Sequence, residues 1–266
     1  MKSPKEQALE RAIIKKADGK PAKAAEILFH DPEVQALQDY ANTVSIRRLH
    51  YNDHGPVHMR KVALNALTLL DLLHKAGIGL NLETEEIGSF EDSKTAVIIA
   101  SLLHDVGMTI GRQGHQDMGI AIALPIIGRV LESLYGGDIE KRVILRSMIL
   151  EGIVGHMGTQ KIHSLEAGVI LIADGCDMEQ GRARIPMSMG TESQVGDIHK
   201  YSSFAVKKVA LEAGREKPVR ITVTMTESVG FFQVEEVLFT KIEASPIKPY
   251  IELYAGIEGE EPKHYL

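Results

Sequence analysis

The sequence predicts a mainly α-helical fold, a helical bundle carrying a small C-terminal α/β unit. Three observations predict it. Apolar residues recur at helical spacing through most of the first 213 positions. Aromatics are only 5% of the 266 residues and tryptophan is absent, so the core is built from Leu, Ile, Val, Ala and Met, which suit helix packing. Beyond residue 213 the pattern switches to period two, in Val219-Arg220-Ile221-Thr222-Val223-Thr224-Met225.

Each element follows from local signals. Residues 5–16 form an amphipathic helix with Leu9, Ile13 and Ile14 on one side, stopped by Asp18-Gly19-Lys20-Pro21. A short helix covers 22–29, and Asp31-Pro32 starts another toward Ile46. Pro56 opens a helix that Val62, Leu67, Leu69, Leu70 and Leu73 carry to Ala76-Gly77. Residues 78–93 read as a polar loop, and Thr95 to Asp105 as a strongly apolar helix ending at Gly107. Helices follow over 115–134 and 138–154, separated by Tyr135-Gly136-Gly137. Ser164 caps a helix to about 180. Residues 181–200 read as a loop and 201–213 as a last helix. The end of the chain then reads strand, helix (Gly230 to Lys241) and strand (Pro249 to Tyr254), a β-α-β unit. The domain division is therefore 1–213, helical, and 214–266, β-α-β. Two strands alone bury little, so the unit is expected to pair with a sheet edge of the main domain or with its copy in a homodimer.

Composition excludes several classes. A net charge of -6 speaks against broad nucleic-acid binding. One cysteine, Cys176, permits no intramolecular disulfide, and residues 1–10 lack the apolar core of a signal peptide. Apolar runs such as Ala96 to Leu103 are too short to span a bilayer. The expectation is a cytoplasmic protein without a membrane partner.

Chemistry concentrates in the eleven histidines and their acidic neighbours. His54 and His58 flank Pro56 at a helix start. His104-Asp105 ends the apolar run Ile98, Ile99, Leu102, Leu103, where a buried imidazole and carboxylate are costly unless paired or bound to a cation. His115 and His156 sit beside glycines at helix ends, and Asp174 interrupts the core-like run Leu171-Ile172-Ala173. A salt-bridged helix end and satisfied core histidines are the plainer readings of each alone. Together they place imidazoles and carboxylates on separate helices, as in a bundle-core metal site. Without thiolates, such a set fits one or two divalent ions of Mn, Fe, Co, Ni, Zn or Mg. Asp105 could bridge two ions, and a pair about 3.5–4 Å apart can clamp a phosphoryl group and activate a hydroxide.

The order His58, His104-Asp105, Asp174 resembles the signature of the HD superfamily of metal-dependent phosphohydrolases. So do its flanks: a histidine four residues before the first ligand, the run Leu102-Leu103-His104-Asp105-Val106-Gly107, and Ala173-Asp174 in a late helix. The resemblance spans about residues 45–185. It implies an HD-type helical bundle in which His58, His104, Asp105 and Asp174 hold a first metal. Binuclear members add two histidines between the doublet and the last Asp, which puts His115 and His156 on a second ion. The stretch from Gly155-His156-Met157-Gly158 to Ala173-Asp174 is similar to the bacterial diadenosine-tetraphosphate hydrolases of the superfamily. By likeness to its cyclic-nucleotide phosphodiesterases, His54 would be the general acid. Met108 stands where many HD-GYP phosphodiesterases have lysine, and the Gly-Tyr-Pro motif is absent, which argues against cyclic-di-GMP. The β-α-β unit lies outside the common HD core and looks like a feature of a less characterised HD hydrolase group.

Three arginines are candidates to read a phosphate: Arg112, between the doublet and His115, and Arg182 and Arg184, just past the Asp174 helix. The expected activity is hydrolysis of a small phosphorylated substrate, a phosphate ester or nucleotide, by a metal-activated hydroxide, with His54 and Asp105 as catalytic residues. Two alternatives keep the same ligands: a diiron oxygenase of the HD fold, and a nucleotide-binding regulator without turnover.

Overall fold

The computed structural model describes residues 2–182 and 198–266. It is mainly helical with a small C-terminal sheet. Helices α1 (Pro4–Ala17), α2 (Gly19–His30) and α3 (Pro32–Thr43) start the chain, and α3 runs into a π-wound turn, Val44–Arg48. Ser3 and Glu6 form a capping box at the start of α1, and Asp31 caps α3 with its carboxylate. α4 (Pro56–Lys75) begins at the proline.

The expected loop over 78–93 is shorter than predicted. A helical turn, α5 (Asn81–Thr84), lies within it, and α6 (Phe90–Leu103) starts five residues before Thr95. The reason is a cap: Ser89 and Asp92 form a capping box, and Asp92 also accepts from Tyr135 Oη at 2.7 Å and Lys141 Nζ at 3.1 Å. α6 is buried on every side from Asp92 to Leu103, packed by α2, α4, α8 (Ile139–Gly155) and α9 (Leu165–Gly175). That explains why its sequence is apolar without a polar face.

α7 (His115–Tyr135) is, by length and composition, apolar enough to cross a membrane, which the reading of short apolar runs missed. Here its face of Ala123, Ile126, Ile127 and Val130 is buried in the core, and its first residue, His115, is buried in the site described below.

The C-terminal region corrects the sequence reading. The helix expected over 201–213 is α10 (Ile198–Ala205) followed directly by a strand, β1 (Val206–Ala213). Lys, Ala, Leu and Glu in that segment favour helix, but pairing overrides propensity: β1 lies antiparallel against β2 (Val219–Met225). β2 pairs in parallel with β3 (Ile251–Ile257), as a β-α-β unit requires, and β3 pairs with the short β4 (Lys263–His264). The sheet order is β1-β2-β3-β4, so both strands of the unit are flanked within the chain. The connection from β2 to β3 is helical over Phe231–Ala244, π-wound at Gln233–Phe239 and α-helical as α11 at Thr240–Ala244. Val219, Ile221, Val223 and Met225 of β2 and Leu253 of β3 join the same apolar cluster as α4, α6 and α9. The sheet starts seven residues before the expected boundary at 213, and one core runs through both parts.

Candidate metal centre

Four imidazoles and two carboxylates meet where α4, α6, α7, α8 and α9 converge. His58 comes from the first turn of α4, His104 caps the end of α6, and Asp105 follows it. His115 begins α7, His156 caps α8, and Asp174 lies in the last turn of α9. All six are buried. Gly107 makes the convergence possible. A Cβ there would lie 1.9 Å from the His115 carbonyl oxygen, so only glycine lets the His104-Asp105 turn meet the start of α7.

Each ring is fixed through Nδ1. His104 Nδ1 donates to Ser101 O at 2.8 Å, His115 to Arg112 O at 2.8 Å, and His156 to Ile153 O at 2.6 Å. His58 Nδ1 donates to the Asp177 carboxylate at 2.7 Å. With the proton on Nδ1, Nε2 presents a lone pair. Those lone pairs crowd together: His58 and His104 Nε2 are 3.3 Å apart, and His115 and His156 Nε2 are 3.0 Å apart. The carboxylates stand among them. Asp105 Oδ1 is 3.1 Å from His115 Nε2 and 3.5 Å from His156 Nε2, while its Oδ2 is 3.3 Å from His58 Nε2. Asp174 Oδ1 is 3.1 Å from His58 Nε2.

So many acceptors at such distances repel one another unless cations lie between them. Two features mark the need. Asp105 Oδ2 is buried without a hydrogen-bond donor. Burial and the Arg182 charge push the His58 pKa down, yet Asp105, Asp174 and Asp177 outweigh them and raise it to about 10. His156 goes the other way: burial, with the charge of His104, lowers it to about 4 despite Asp105. Burial alone would raise Asp105 and Asp174, but the surrounding histidines, and Lys241 at Asp174, hold both well below the usual carboxylate range. The donors fit a divalent metal in two groups, His58-His104-Asp174 and His104-Asp105-His156, each with its ligand atoms within 4.8 Å of one another. Asp105 offers one oxygen to each side, and His115 Nε2 stands beside the second group.

Over this floor opens a cavity of about 530 Å³, lined by His54, Asp105, Arg112, His156, Asp174 and Arg182, together with Tyr51, Asn52 and His199 and, from the C-terminal part, Gln233, Glu236, Thr240 and Lys241. Arg182 donates Nε to Asp53 O at 2.8 Å and Nη1 to Asp177 O at 3.0 Å, which aims Nη2 at His58 Nε2, 3.2 Å away. Arg112 Nη1 is 3.4 Å from His54 Nε2. Arg184 lies outside the described residues.

No family model and no solved structure matches the chain. Over 244 residues it is 36% identical to the "Uncharacterized protein MJ1020" of Methanocaldococcus jannaschii, covering 92% of each chain. The chain belongs to the MJ1020 family. The match covers enough of the chain to take in most of both the helical part and the sheet.

His54 lines the cavity. Its Nδ1 donates to Asn52 O at 2.7 Å, leaving Nε2 as an acceptor facing Arg112. Burial, together with Arg182, Arg112 and His58, holds its pKa well below the usual histidine range despite Asp105. Two contributors were not singled out from the sequence. Asp177 anchors His58 from just past the end of α9, three residues beyond Asp174. Lys241 donates to Asp174 Oδ2 and, at 2.8 Å, to His156 O. Nothing local to Lys241 marks it, because it reaches the site from the C-terminal unit.

Proposed function

We propose that the protein is a metal-dependent phosphohydrolase of the HD superfamily, acting on a small phosphate ester or nucleotide. The observation that carries this reading is a floor of imidazole and carboxylate donors beneath a cavity whose walls present Arg112, Arg182 and Lys241. His58, His104, Asp105 and Asp174 would hold one ion, and Asp105, His115 and His156 a second. Bound divalent ions supply the attacking oxygen nucleophile from water at neutral pH and offset charge on the phosphoryl oxygens.

The chain's own residues do the rest. The Nδ1 hydrogen bonds hold each ring in the tautomer that presents Nε2 to a cation. Arg182, held at two backbone carbonyls, turns its Nη2 to the space beside His58, where it can donate to an anionic oxygen. His54 Nε2, an acceptor in this arrangement, orients Arg112 toward the same space. In the role of general acid it would need a proton that burial and two arginines oppose. The cavity's volume lies in the range of small-molecule sites.

The test combines metal analysis with turnover. Protein purified without chelators is expected to carry one or two divalent ions per chain and to release phosphate from esters or nucleotides. His104→Ala and Asp105→Ala lose both properties. Undiminished turnover in those variants sinks the reading, and iron-dependent oxygen uptake without phosphate release selects oxygenase chemistry instead.

A further inference from the structure

We propose that Lys241 binds an anionic oxygen of the substrate, which makes the C-terminal unit a wall of the active site; this rests on the phosphohydrolase reading above. The C-terminal helical segment supplies Gln233, Glu236, Thr240 and Lys241 to the cavity that Arg112 and Arg182 also line. Its π-wound stretch, Gln233–Phe239, resets the helical register just before Lys241, a device found at functional sites. Gly175 lets the segment close in: a Cβ there would press on Lys241 Cδ at 3.1 Å and Leu238 Cδ1 at 3.3 Å. The lysine is thereby held directly against Asp174 and His156, two of the candidate metal ligands.

Its hydrogen bonds show spare capacity. An ammonium has three donors. Lys241 gives one to Asp174 Oδ2 and one to His156 O, and it lines the open cavity. Charge matching points the same way. Arg112, Arg182 and Lys241 stand among five carboxylates, Asp53, Asp105, Asp174, Asp177 and Glu236, so one divalent ion would balance the site and a second would leave positive charge in excess. A metal would take Asp174 Oδ1, which faces His58 Nε2, and leave Oδ2 to Lys241, so the lysine stays beside the ligand with its third donor open to the cavity. A phosphoryl oxygen seated between Lys241 and Arg182 keeps both cations paired.

The experiment measures inorganic phosphate binding by calorimetry to metal-loaded wild type, Lys241→Met and Lys241→Gln, with metal content counted in each. The Gln variant keeps a donor to His156 O and Asp174, so it preserves the packing should the Met variant fail to fold. The expected result is unchanged metal content with phosphate affinity reduced about tenfold or more in either folded variant. Wild-type affinity in Lys241→Gln overturns the assignment of Lys241 and leaves the phosphohydrolase reading standing. A metal-loaded wild type that neither binds phosphate nor hydrolyses phosphate esters overturns that reading, and the assignment with it.

Discussion

Asp177 shows how much one carboxylate can decide. Its carboxylate accepts from His58 Nδ1, and that contact sets the ring's tautomer and orientation. Asp177→Asn is expected to weaken metal affinity by about 10–100-fold with the fold retained, read by metal titration alongside circular dichroism. Asp92 is the counterpart away from the site. Burial raises its pKa, but hydrogen bonds from Tyr135, Lys141 and Ser89 outweigh that and lower it. A lowered folded-state pKa gives stability that is fully present above the unfolded value of 3.8 and is lost as pH falls through the folded value. Asp92→Asn should therefore cost about 1–3 kcal/mol at neutral pH and flatten the stability profile below about pH 4, measured by urea unfolding across pH.

At the scale of elements, the His104-Asp105 turn and the start of α7 depend on the missing side chain of Gly107. Gly107→Ala drives a methyl into the His115 carbonyl and is expected to cost about 3 kcal/mol, with loss of metal, read by thermal melting and metal content. The sequence made these helices and their ligands legible because both signals are local. Periodicity marked α4, α7 and α8, and buried-looking His and Asp residues at helix ends marked all six metal-ligand candidates. It misread β1, because Lys207 to Ala213 has helical preferences and strand pairing with β2 is a distant effect. Lys241 stayed hidden for the same reason: its partner Asp174 is 67 positions away in sequence.

At the scale of the whole molecule, one apolar cluster joins bundle and sheet, so the chain should unfold as one unit. Calorimetry is expected to show a single transition. A divalent metal that bound only the folded state would, at a hundredfold excess over Kd, add about 2.7 kcal/mol. Chelation should accordingly lower the Tm by about 5–10 °C for a chain of this size, with the transition still single. Two separable transitions, only one of them moved by chelator, would show the sheet to be an independent domain. The order of parts along the chain has a consequence for synthesis. Every metal-ligand candidate precedes Gly175, and the wall that carries Lys241 follows Phe232. A ribosome therefore delivers all six candidate donors before the residues of the Lys241 wall are made, and because one core joins bundle and sheet, a fully formed site waits for the end of the chain.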